Sequence, residues 1–169
     1  MKRPENTEYA EWYAGYVGSV GENDIVSVLQ KQIDEIKEIF AGISEEKGLY
    51  RYAEGKWTIK EVLSHLIDGE RVFAYRAFRI SRKDETPLAG FDQDPYIENS
   101  NSNDRTIPDL VEELALLRQA NMFIFRNLKE RDWDIFGTAS DNKITVRALA
   151  YIMAGHIRHH LKILQERYL

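Results

Sequence analysis

The sequence contains no cysteine. That excludes disulfides, thiolate nucleophiles and every cysteine-ligated metal site, so any metal must be held by nitrogen and oxygen donors. Long hydrophobic runs are also missing, and nothing approaches the roughly 18 apolar residues that a membrane-spanning helix needs. No basic patch or stripe is present either: Lys and Arg are scattered through a chain of net charge -5, which argues against a nucleic-acid partner. The beginning, MKRPENTEYAEWY, turns acidic and aromatic at once, without the apolar stretch of a signal peptide. A soluble, cytoplasmic protein is expected. There is no Gly-rich phosphate loop, nucleophile elbow or flavin fingerprint.

What is present is an ordinary folded composition, 43% hydrophobic and 30% charged with 4 prolines, in 169 residues. One domain spanning residues 1–169 is expected. Apolar periodicity predicts four long helices. The first runs from about Asn23, a candidate cap, to Phe40 through Ile25, Val28, Leu29, Ile33 and Ile36. The second opens with the capping box Thr58-x-x-Glu61 and continues to about Arg79. The third covers Pro108 to about Leu128, and the fourth Thr145 to about Arg167. Ahead of them Tyr9, Trp12, Tyr13 and Tyr16 fall at i, i+3, i+4 and i+7, which predicts a short N-terminal helix with one aromatic face, packed on the bundle or on a second copy.

The fold class expected is therefore all-α: a four-helix bundle with a long crossover between helices 2 and 3 and a short N-terminal helix. The crossover, RKDETPLAGFDQDPYIENSNSNDRT, is longer than an idle loop usually is. It either runs through solvent or lids one end of the bundle, bringing Asp92, Asp94 and Tyr96 near a site. Gly137 marks a second loop, beside which Trp133 is expected to pack as a plug.

Three of the four histidines lie in GHIRHH, residues 155–160, inside the last helix. Positions four apart on a helix differ by about 40° in direction, so His156 and His160 share the inward stripe with Leu149, Met153 and Leu164. His159 points about 60° to the other side and is expected to be a bystander. Two imidazoles at i and i+4 are a common chelating pair for a transition metal. His65, amid Val62, Leu63, Leu66 and Ile67 of the second helix, is either a third ligand or a hydrogen-bonded core residue. Ile157 stands where a zinc protease needs glutamate, and no Glu-x-x-His of the di-iron kind occurs. Asp68, one turn after His65, either orients a ligand or is a solvated acid.

GKWTIKEVLSHLIDGERVFAYRAFRI, TPLAGFDQDPY and VRALAYIMAGHIRHHLKILQERYL together resemble the successive signatures of the DinB-like superfamily, in its damage-inducible-protein-like branch. The resemblance spans nearly the whole chain. It implies a four-helix bundle with a long crossover, commonly dimeric, and a divalent transition metal, zinc or nickel, on His65, His156 and His160. It also implies several possible activities. Relatives of this kind include thiol S-transferases using bacillithiol or mycothiol, a thiol-dependent maleylpyruvate isomerase, and proteins known only as metal-dependent hydrolases.

The expectation is thus a metal-dependent transferase in which the cation activates a low-molecular-weight thiol toward a small-molecule substrate. The alternatives are a hydrolase using metal-bound water, a non-catalytic metal-binding stress or interaction protein, and a structural bundle with unmetallated histidines. Asp68, Tyr75, Asp92 and Asp94 are the candidate pocket or ligand-orienting residues, and the catalytic residues themselves are left open. A homodimer is expected, with no nucleic acid and no membrane as partner.

Overall fold

The computed structural model describes residues 2–169; Met1, where the expected domain begins, lies outside them. Four long helices carry the fold: α2 (Ile25–Phe40), α4 (Ile59–Ser81), α6 (Ile107–Arg126) and α7 (Val146–Arg167). Short helices α1 (Ala14–Gly18), α3 (Glu45–Gly48) and α5 (Gln93–Glu98) lie between or ahead of them. No helix among the described residues is long and apolar enough to cross a membrane.

Local chemistry sets the helix starts. Thr58 Oγ1 accepts from the Glu61 amide while the Glu61 carboxylate accepts from the Thr58 amide, the reciprocal box that the sequence predicts. Thr106 and Thr145 cap α6 and α7 by one bond each, their hydroxyl oxygens accepting from the amides of Asp109 and Ala148. The cap of α2 is Asp24 rather than Asn23, because the Asp24 carboxylate takes both the amide and the hydroxyl of Ser27.

Two features differ from the sequence expectation. The aromatic run 9–16 does not form one helix. Two 3-10 turns, Asn6–Glu8 and Glu11–Tyr13, precede α1, with Tyr9 extended between them. Tyr9 is therefore buried and Trp12 exposed, not on one shared face. The expected second loop contains an antiparallel hairpin, β1 (Phe136–Ala139) and β2 (Asn142–Thr145), turned through Ser140 and Asp141 at positive φ. Trp133 does plug this end, buried and stacked on Phe125.

Pairwise contacts give a bundle in which α6 and α7 each lie between α2 and α4. Thr58 meets Asn103, and Glu70 meets Arg118, so α4 and α6 run parallel, which is what the long crossover permits. The Trp57 carbonyl accepts from the Tyr168 hydroxyl and His65 faces His160, so α7 runs antiparallel to α4.

The core is split into two apolar clusters, one toward the hairpin and one toward the opposite end. Each long helix changes cluster at a buried polar residue: Gln32 on α2, Glu70 on α4, Arg118 on α6 and His156 on α7. Arg118 donates to both oxygens of Glu70 at 2.9 and 2.8 Å, to Gln32 Oε1 at 2.9 Å and to the Leu29 carbonyl at 3.2 Å. Gln32 in turn donates to the Ala154 carbonyl at 2.8 Å. One hydrogen-bonded layer thus ties all four long helices together beside the histidines. Its charges are matched and its donors used, the condition under which a buried ion pair is tolerated.

Candidate metal centre

His65 and His156 are buried, and His160 is half-buried at the same level. Helical phase on α7 puts His156 and His160 on the face packed against α4, and the antiparallel α4 presents His65 between them. The three ring centroids are each 4.7 Å from the other two. The Nε2 atoms of His65 and His156 are 2.8 Å apart, and one nitrogen from each of the three residues lies within 4.8 Å of the others. His159 is exposed and turned onto Tyr16, 5.3 Å between centroids, outside this triangle.

Close packing holds the rings. Trp57 lies 4.9 Å from His65, while Phe73 and Tyr16 flank His156 edge-on at 5.6 and 5.5 Å. Two glycines make this approach possible. A Cβ on Gly69, one turn after His65, would stand 2.7 Å from His156 Cε1, so only glycine leaves room for the ring. A Cβ on Gly155 would stand 2.1 Å from the Tyr16 carbonyl, so this glycine lets α1 lie directly on α7 and seat Tyr16 against His156.

Burial holds the imidazoles neutral. It lowers His65 to about 4 and His160 to about 3, and drives His156 well below its ordinary value; mutual repulsion among the histidines adds to each shift. A neutral imidazole keeps the lone pair a metal requires. Bonds of about 2.0–2.1 Å at right angles set ligand nitrogens about 2.9 Å apart, and tetrahedral angles set them about 3.3 Å apart. The donor set, its protonation and its spacing therefore fit a divalent transition metal on three histidines.

Two cavities reach this triangle. One, of ≈ 520 Å³, touches His65 and His156 and is walled by Trp12, Tyr13, Tyr16, Phe73, Phe91 and Asp92. The other, of ≈ 300 Å³, touches His160 and is lined by Tyr52, Trp57, Tyr168 and Asp94. A larger cavity, of ≈ 600 Å³ between α2 and α6, contains no histidine, so size alone does not mark the site.

The crossover therefore puts Asp92 at one opening and Asp94 at the other, and the Tyr96 ring lies tilted against Phe91, 5.6 Å between centroids. Asp92 Oδ1 caps α5 through the Asp94 amide. Asp68 is half-buried and makes no hydrogen bond to a histidine among the described residues; burial raises its pKa, with Arg71 opposing and Glu113 adding. Tyr75 is exposed, receives a hydrogen bond from Arg79 and lines neither cavity. Tyr16, Trp57, Phe73 and Gly69 are the site residues not anticipated from sequence.

A family model described as the DinB superfamily matches residues 29–164. Among solved structures, the chain resembles YfiT from Bacillus subtilis, described as "a probable metal-dependent hydrolase with an unusual four-helix bundle topology". The TM-score is 0.77 at 19% identity, covering 98% of this chain and 90% of the other. None of the curated proteins matches.

Proposed function

The chain belongs to the DinB superfamily, and on that footing we propose that it is a metal-dependent enzyme in which His65, His156 and His160 hold a divalent transition metal, zinc or nickel. Its reaction on this reading is the transfer of a low-molecular-weight thiol to an electrophilic small molecule. The observation that carries the proposal is the convergence of three neutral imidazoles from two helices on one point. A cation held there would supply Lewis acidity, lowering the pKa of a thiol or water that reaches it.

The chain's own side chains do the rest. Tyr16, Trp57 and Phe73 wall the imidazoles and exclude bulk water around them. Asp92, whose Oδ2 makes no hydrogen bond among the described residues, stands at one opening to take up the proton that the nucleophile loses. Asp94 stands likewise at the other. Two separate openings onto one donor set suit two substrates, a thiol and its acceptor, and a protein without cysteine has to borrow its thiol. Hydrolysis is the second reading, favoured by the description of YfiT. Cytoplasmic location and a homodimer belong to the same proposal; exposed Leu116 and Phe123 on α6 support the dimer.

The test begins with metal analysis of tag-free protein. Wild type is expected to carry one equivalent, and His65→Ala and His156→Ala to lose it; equal contents would sink the site. Thiol transfer is then assayed with bacillithiol, mycothiol and glutathione against alkyl and aryl halides, beside ester and amide hydrolysis. Hydrolysis without transfer would select the second reading. Silence from metal-loaded protein would leave a non-catalytic binding protein.

A further inference from the structure

Among the described residues three arginines are buried, and two are neutralised: Arg118 by Glu70, and Arg147 by Glu8 and Asp134. Arg76 is only 2% exposed and has no carboxylate in ion-pair contact among the described residues. Its Nη2 donates to the Ala89 carbonyl at 2.8 Å and to Ser140 Oγ at 3.0 Å. Its Nη1 reaches only the Tyr13 hydroxyl at 3.5 Å, the outer limit of a hydrogen bond, and its Nε makes none. A neutral donor would tie the crossover to the hairpin equally well, so that tie does not explain why a full charge is buried. An unmatched buried charge is costly, and an anion brought to it from outside would match it.

The position of Arg76 says where that anion comes from. It lies on the same face of α4 as His65, three turns on and about 16 Å along the helix axis, and arginine side chains lean back toward the helix start. Its guanidinium lies 5.9 Å from the Phe91 ring centroid and against Tyr13, and both residues wall the ≈ 520 Å³ cavity that reaches His65 and His156. Between the two ends stands Phe73, 6.1 Å from Tyr13 and 5.6 Å from His156.

We propose that Arg76 anchors a carboxylate of the molecule admitted to this cavity, so that the site selects small organic acids with an apolar or aromatic body. With Nη2 spent on Ala89 and Ser140, Nη1, held only by the long Tyr13 contact, is free to donate to a carboxylate oxygen, an arrangement a compact ammonium does not reproduce, and a single positive charge balances a single negative one. Tyr13, held by the weakest of the three contacts, is the group that gives way. The aromatic walls hold the body of the molecule and direct its other end at the histidines. Only that last point rests on reading the histidines as the reactive centre.

The test is calorimetric titration of the purified protein, as isolated and after metal removal, with benzoate, benzamide and benzylammonium. Wild type is expected to bind benzoate at least tenfold more tightly than benzamide, with or without metal. Arg76→Gln and Arg76→Lys are expected to lose that preference and keep the benzamide affinity. Should Arg76→Gln fail to fold, the lysine variant decides, together with benzoate-induced shifts of the Arg76 Nε and Tyr13 ring resonances in wild type. Benzoate binding that survives both substitutions and vanishes on metal removal would put the carboxylate on the metal. That result overturns this inference while supporting the metal reading. Benzylammonium as the tightest probe would also overturn it, because Asp92 and the aromatic walls would then be a cation cage.

Discussion

Gly69→Ala is expected to weaken metal binding without weakening the fold. The added methyl would lie 2.7 Å from His156 Cε1 and 3.0 Å from its Nδ1, whereas ordinary contact begins near 3.4 Å, so the ring must retreat by about 0.7 Å. Metal–ligand bonds tolerate about 0.2 Å, and the displaced imidazole no longer meets a cation held by His65 and His160. A loss of about 10–100-fold in zinc affinity follows, the scale seen when the groups that orient a ligand are disturbed. In metal-free protein no coordinate bond fixes the ring, and its shift against Phe73 and Tyr16 is a packing cost that the up to about 1 kcal/mol favouring alanine over glycine inside a helix offsets. Metal affinity is read by competition with a chromophoric chelator, and the stability of the metal-free protein by urea unfolding. Zinc binding within threefold of wild type would refute this account of the site. So would a metal-free protein less stable by more than about 2 kcal/mol, since that would make Gly69 a general packing position.

Three further outcomes are expected. Because His65 and His160 are lowered from 6.5 to about 4 and about 3, the unfolded chain takes up their protons first; the stability is present above pH 6.5 and lost as pH falls from there toward 4. Each proton contributes about 1.4 kcal/mol per pH unit, and urea midpoints of metal-free protein at pH 7, 6 and 5 that match those of a His65→Ala/His160→Ala variant would contradict it. Glu70→Gln, which strips the counter-charge from fully buried Arg118, is expected to cost about 3–5 kcal/mol, and a urea-derived loss under 1 kcal/mol would show the layer to be open to water. Gly155→Ala should lift α1 off α7, since its methyl meets the Tyr16 backbone at 2.1 Å; faster proteolysis around residues 10–20 with an intact remainder is the readout, and an unchanged pattern would speak against the contact.

The long helices and their best-marked ends were legible because the signals are local: the Thr58–Glu61 box, the Thr145 cap and the apolar stripes. The inward pair His156 and His160 was legible for the same reason, being a matter of helical phase. The hairpin was not. Its strands have four residues each, and its turn uses Ser140 and Asp141 at φ 51 and 62 in place of an Asn-Gly signal. The aromatic run misled because helical spacing predicts a helix only where the backbone continues, and at Tyr9 it is extended. Gly69 and Arg76 acquire meaning only from partners 87 and 63 residues away in sequence, His156 and Tyr13, which no local pattern contains.

The buried layer of Gln32, Glu70, Arg118 and the Ala154 carbonyl separates two jobs. It fixes the rotation of α4 against α7, and with it the three imidazoles, using long helices alone. Much of the wall that faces an incoming molecule comes from elsewhere: from the turns before α1 and Phe91 and Asp92 of the crossover at one opening, and from the segment 52–57 and Asp94 at the other. An exchanged crossover can therefore change what is admitted while the donor set stays as it is. For an engineer, the crossover is the part to vary and the layer the part to leave alone.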